Sequence, residues 1–194
     1  MPRISAGSLE EHRVDLRRRV FDAFAELVGE RGYDATSMAA IAERAGIGRT
    51  AIYHHFPDKA AVVVAFAGHE TDRYVARLRE VLGATDDPVE RLRTYVRHHL
   101  AADEEFHLGL GPRLVGMLST EARQEIRAHV GAVEEVLRSI LIDGVASGTM
   151  VVEDVEGTLP LIHACLGPRH LPPRTIESFV LRAVGAAGPG HAVR

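Results

Sequence analysis

Arg49, Thr50, Tyr53, His54, His55 and Lys59 lie within one short stretch, and all six carry side-chain donors. Residues 49, 50, 53 and 54 share one face if the stretch is helical. An arginine there can grip guanine in bidentate fashion in the major groove of DNA. Thr50 and Tyr53 can reach a phosphate or a thymine methyl, His54 and His55 can donate to phosphate, and Lys59 stands at a helix start beside the backbone. Such contacts position a protein on a duplex and read its bases.

Two short helices must hold these donors. One runs from about Ser37 to Ala45 and stops at Gly46; the other runs from about Arg49 to Phe56 and stops before Pro57. Ala42 supplies the small residue that a close helix crossing needs, and Gly46 supplies the positive φ of the turn four residues later. Ile41, Ala45, Ile47 and Ile52 fall on the inward faces. This is the spacing of a helix-turn-helix, whose second helix enters the major groove while the first crosses the backbone. Thr36 and Ser37 offer N-caps for the first helix and join the DNA-contacting set. Tyr53 and His55 have a second reading, as packing residues of a three-helix unit; Phe56 is core. Arg17-Arg18-Arg19 is the one basic run, read as a solvated face or a phosphate contact.

The run Ala-Ile-Tyr-His-His-Phe-Pro-Asp-Lys, residues 51–59, resembles the tetracycline-repressor (TetR) family of bacterial regulators. That family ends its recognition helix in a Tyr-x-His-Phe-like pattern, followed by a short turn and a lysine. Phe24, Gly32-Tyr33, Thr36, Ile41-Ala42, Ala45-Gly46 and Ile47 agree as well, so the resemblance covers roughly residues 14–66. Gly48 departs from it, standing where a Ser or Thr cap is usual. The resemblance implies a homodimeric, ligand-responsive transcriptional regulator. It would be a repressor that holds a pseudo-palindromic double-stranded DNA operator and is released by a small-molecule effector. It also implies three regions: a DNA-binding domain over 1–57, an effector-binding and dimerisation domain over 58–187, and a disordered tail over 188–194.

Periodicity extends the helical reading to the rest of the chain. Apolar residues recur at helical spacing over Val14 to Arg31, Asp58 to Leu82, Val89 to Ala101, Thr120 to Ser147, Val155 to Leu166 and Arg174 to Gly185. A further helix over Asp103 to Leu118 is expected to bend at Gly109-Leu110-Gly111-Pro112. No strand alternation or internal repeat is present, so the expectation is an all-α chain of about nine helices.

Phe66, Phe106, Leu110, Leu114, Met117 and Val133 read either as plain core or as the lining of an apolar cavity, with His99 and His129 as polar lining. In the resembling family that part of the bundle encloses the ligand; here the mixture of apolar residues with His, Tyr95 and Arg113 is compatible with a lipophilic, weakly acidic molecule. His99, Asp103 and His107 step by four, a spacing that could also hold zinc. Leu161, Ile162, Cys165, Ile176, Phe179, Val180 and Ala183 on the last two helices read as a four-helix interface between two subunits, or as burial within one.

Composition sets the outer limits. At 194 residues and 46% hydrophobic the chain can build a sizeable core. Nothing approaches eighteen consecutive apolar residues, and the first residues lack a signal peptide's apolar centre. A single cysteine, Cys165, excludes an internal disulfide and fits a reducing cytoplasm. Net charge is −4, and residues 1–60 carry nine Arg and Lys against nine Asp and Glu. The DNA-facing half is therefore neutral, which predicts modest non-specific affinity and a shallow salt dependence. No nucleophile elbow, phosphate loop or metalloprotease helix occurs, so no enzyme, cofactor or metal is expected. Two alternatives stay open: a helical effector module acting through a protein partner, and a histidine-based metal enzyme.

Overall fold

Eight helices make up the regular structure of the described residues, with no strand among them. The computed structural model describes residues 6–101, 118–167 and 170–186, with side chains from residue 11 onward except Val130. The helices are α1 (Ala6–Ala35), α2 (Met38–Arg44), α3 (Arg49–His55), α4 (Lys59–Leu82), α5 (Pro88–Ala101), α6 (Thr120–Ala146), α7 (Val155–Leu166) and α8 (Pro173–Ala183). The helix expected over 103–118 and the tail lie outside the described residues.

Two compact units result. Within the described residues, the first runs to His69 and resumes from 118 to Ile126; the second takes Glu70 to Ala101 and everything from Arg127. A single boundary at residue 57 does not describe this division. The reason is the apolar face of α4. Its first two turns put Val62, Val63, Val64, Phe66 and Ala67 into the core of the first unit, together with Leu118, Ala122 and Ile126. Further along, Tyr74, Val75, Leu78 and Leu82 belong to the core of the second.

In the first unit, α1 lays Leu16, Val20, Phe21, Phe24 and Leu27 against Ile41, Ile52 and Phe56. Phe24 and Phe56 are almost fully buried, and each such side chain contributes roughly 1.5–3 kcal/mol of transfer free energy. The helix begins earlier than the expected Val14. Its first turns lack an apolar stripe: Glu11, His12, Arg13 and Val14 all face solvent. Gly32 breaks it at φ 81°, and one more turn leads to Ala35.

The second unit packs α5 against α8 and α7 around Leu92, Tyr95, Val96, Leu137, Ile140, Leu141, Leu166 and Val180. Inside it lies an ion cluster that sequence reading missed. Glu177 of α8, a buried carboxylate, accepts from Arg93 at 2.7 Å and from Arg97 at 2.6 and 3.1 Å. The arginines sit one turn apart on α5, so together they fork onto a single carboxylate.

Candidate functional site

The α2–α3 unit forms as its spacing requires. Ile41, Ala42, Ala45 and Ile52 are buried. Gly46 takes φ 65°, and the turn closes through Ile47 N–H donating to the Ala42 carbonyl at 2.9 Å. α2 is capped by Ser37, whose Oγ accepts from Ala40 N–H at 3.2 Å. Gly48 caps α3 with no side-chain bond. Since Ile52 faces inward, Arg49, Thr50, Tyr53 and His54 are turned to solvent, with Tyr53 49% exposed. His55 is half-buried, and Phe56 closes the core beneath it.

Two residues grouped with this surface do other work. Thr36 is buried, and its hydroxyl donates to the Gly32 carbonyl at 2.9 Å, which leaves it no face toward DNA. Lys59 donates to the carbonyls of Tyr33 and Thr36, each at 2.8 Å, and its ammonium lies 3.9 Å from the Tyr33 ring centroid. Burial pulls its pKa down, although Asp34 opposes this. Two of its three N–H donors are committed to the protein, where they close the turn between α1 and α2. The basic run is committed as well. Arg18 pairs with Asp15 at 2.8 Å, Arg19 donates to the Ala45 carbonyl at 3.3 Å, and Arg17 lies over the rings of Phe21 and Phe56.

This reading head has known counterparts. Residues 20–66 match the bacterial regulatory proteins of the tetR family, and residues 85–166 match the tetracyclin repressor-like C-terminal domain. The chain belongs to the TetR family. It is a DNA-binding transcriptional regulator. The transcriptional repressor Rv1474c of Mycobacterium tuberculosis is 27% identical over 80% of this chain and 91% of its own length. The transcriptional activator FasR of Mycolicibacterium smegmatis is 29% identical over 68% of this chain, which spans 59% of FasR. Among solved structures, the regulator FadR from Bacillus subtilis in complex with stearoyl-CoA superposes with a TM-score of 0.68. The identity is 21%, over 86% of this chain and 88% of that one.

The second unit of this TetR-family chain holds a cluster of tyrosines and histidines. The Tyr95 hydroxyl meets His163 Nε2 at 2.8 Å, and the Tyr74 hydroxyl meets His99 Nδ1 at 3.2 Å. The Tyr95 and His99 rings stack at 6.2 Å, and His98 lies 5.0 Å from Tyr74. Burial pushes the Tyr95 hydroxyl far above its ordinary range and pulls the His163 imidazole below its own. Both groups are therefore neutral at pH 7, which suits a hydrogen-bonding pair in an apolar surround. Four of these side chains are contributed by α4 and α5 and one by α7. Tyr74 carried no sequence signal as a site residue; Tyr95 and His99, four apart on α5, carried a weak one.

Of the residues expected to line a ligand cavity, His99 sits in this cluster and Val133 is buried in the same core. His129 is half-exposed on α6. Phe66 belongs elsewhere: its ring packs on Phe24 at 5.3 Å and Phe21 at 6.0 Å in the core of the first unit. Phe106, Leu110, Arg113, Leu114 and Met117 lie outside the described residues, as do Asp103 and His107 of the stripe considered for zinc. Among the described residues no group of three or more His, Cys, Asp and Glu could hold a metal ion. A surface cleft of about 370 Å³ lies apart from the Tyr–His cluster. It is lined by Arg79, Leu82, Asp86, Arg91, Glu135 and Ser139, among others, and none of the clustered residues reaches it.

The last two helices divide their apolar residues between two faces. Ile162, Ile176 and Val180 fill the protomer's own core and have no surface left for a partner. Leu161 is 67% and Phe179 52% exposed; Ala183 is exposed beside them and Cys165 half-buried. No helix among the described residues is long and apolar enough to cross a membrane.

Proposed function

We propose that the chain is a homodimeric, non-catalytic cytoplasmic repressor that leaves its operator when a lipophilic effector binds. The observation that carries the reading is α3 itself. Ile52 is fully buried while Arg49, Thr50, Tyr53 and His54 stand outward, a disposition that suits insertion into the major groove. In this reading Arg49 reads a base, while Thr50, Tyr53 and His54 hold phosphates or a thymine methyl. Two copies joined through α7 and α8 would set their recognition helices about 34–36 Å apart on a pseudo-palindrome.

The repressor assignment is supported by the name of Rv1474c; FasR, an activator, is the reason it needs a test. The effector assignment is supported by the stearoyl-CoA bound to FadR and by the Tyr–His cluster inside an apolar core. Tyrosine and neutral imidazole suit a polar end group of such a ligand. α4 supplies residues to both cores, so a shift of its second half would be carried to the reading head.

Selection of duplexes from a random DNA library by the purified protein tests the first half of this reading. A palindromic consensus supports it. Absence of enrichment at low salt overturns it and leaves a partner-binding module, the reading that the neutral charge of residues 1–60 favours. Stearoyl-CoA is then titrated into the protein–DNA complex. Release supports the effector class, and retention of the complex at saturating ligand overturns it.

A further inference from the structure

The last two helices each carry an outward apolar residue and an inward polar one, two positions apart. On α7 these are Leu161, 67% exposed, and His163; on α8 they are Phe179, 52% exposed, and Glu177. Two positions are about 200° around an α-helix, so the members of each pair point to opposite faces. The inward member of both pairs is bonded to α5. His163 Nε2 meets the hydroxyl of the fully buried Tyr95 at 2.8 Å. The Glu177 carboxylate accepts from Arg93 at 2.7 Å and from Arg97 at 2.6 Å. Arg93, Tyr95 and Arg97 span little more than one turn, so a single stretch of α5 holds both helices.

Neither helix fixes its own rotation. α7 has 12 residues with Pro160 inside it, which has no N–H for the Glu156 carbonyl. α8 has 11 residues, and Pro172 before it makes no side-chain cap bond. Helices this short take their course from tertiary packing. Beneath them Leu159, Ile162, Ile176 and Val180 are buried, but apolar contact is non-directional and sets depth better than rotation. Hydrogen bonds are directional and weaken steeply as donor and acceptor move out of line. A turn of α7 or α8 that displaced Leu161 or Phe179 would therefore strain the bond from α5 on the opposite face.

We infer that Tyr95, Arg93 and Arg97 are positioning residues for dimer assembly: through His163 and Glu177 they fix the rotation at which α7 and α8 present Leu161 and Phe179 to a second copy of the chain. The inference rests on α7 and α8 forming the seam between subunits. It gives the buried polar groups of this unit a task that plain apolar packing performs poorly. A seam whose side chains are already oriented loses less freedom on association.

Sedimentation equilibrium of the full chain over a concentration series tests this. Tyr95→Phe removes the hydroxyl and keeps the ring in the core. Arg97→Gln, at a largely exposed side chain, loosens the second tie while Arg93 still holds the carboxylate. Each should raise the dimer dissociation constant about tenfold, the weight of one well-placed hydrogen bond. Leu161→Ala and Phe179→Ala weaken the dimer directly. Since the ties act through these two residues, Tyr95→Phe should add little to Leu161→Ala, and Arg97→Gln little to Phe179→Ala. A merely structural role would lower the melting temperature and leave the dimer constant where it was. That result, or additive effects in both pairs, would overturn the inference while the seam stands. If Phe179→Glu still sediments as a dimer, the seam lies elsewhere and the positioning role fails with it.

Discussion

Lys59 Nζ lies 2.8 Å from the Tyr33 carbonyl and 3.9 Å from the centroid of the same residue's ring. One ammonium thus satisfies the end of α1 twice, and it also bonds the Thr36 carbonyl just before α2 begins. The start of α4 is thereby tied to the turn that sets the angle of α2. Lys59→Met should lower stability by about 2 kcal/mol, since two charge-assisted bonds to partly buried carbonyls are lost together. Urea unfolding checks this. A loss below a few tenths of a kcal/mol, with a salt slope reduced by about one, would return Lys59 to phosphate binding.

Arg49 is exposed at the start of α3 and has no packing role. Arg49→Ala should therefore leave the melting temperature unchanged and cost about 1–3 kcal/mol of specific binding, with relaxed preference at one base. Selection repeated with the variant measures both. An unchanged consensus removes Arg49 as the base reader.

Phe179 and Leu161 expose large apolar side chains on α8 and α7. A charge at the first of these, Phe179→Glu, should yield monomers in sedimentation at micromolar concentration, because an unpaired carboxylate cannot be buried in an apolar seam. A variant that still sediments as a dimer places the seam elsewhere.

Glu177 joins α8 to α5 through Arg93 and Arg97. Burial alone would raise its pKa, but the bonds from Arg97 and Arg93 together outweigh burial and hold it below the usual value. A depressed folded-state value means that the stabilisation is complete above the ordinary Glu range, about 4.3, and is lost as pH falls through the folded value. Glu177→Gln should cost about 2 kcal/mol at pH 7. That is less than the roughly 3–5 of a fully buried pair, since Arg97 is largely exposed. The variant should also lose less stability than the parent on acidification below pH 4. Parallel acid curves for the two proteins would contradict the assignment.

His163, held neutral by burial and placed against the Tyr95 hydroxyl, titrates below the usual imidazole value. Its contribution is therefore present above about pH 6.5 and is lost as pH falls through its lower folded value. Imidazole proton shifts followed by NMR across pH 4–8 measure this directly. A midpoint at or above the ordinary value would refute a neutral Tyr95–His163 pair.

The helix-turn-helix was legible because each requirement is local. Ile41, Ala42, Gly46 and Ile52 declare themselves through spacing and through the residue type that most readily takes φ 65°. Thr36 and Lys59 drew a DNA-contact reading because nothing local distinguishes a lysine facing phosphate from one facing two carbonyls. Its partners lie 23 and 26 residues away. Ile162, Ile176 and Val180 had two readings, a seam between subunits or burial within one, because an apolar stripe does not state whether its own chain or a copy covers it.

The sequence by itself determined an all-α chain, the helix-turn-helix and the outward set on α3. Helix formation, capping and turn geometry depend on neighbours within about four residues. Only the tertiary structure decided which polar side chains meet: Tyr95 with His163, 68 residues apart, and Arg93 with Glu177, 84 apart. Such pairs form because a buried polar group must find a partner, and which partner it finds is set by how the helices pack.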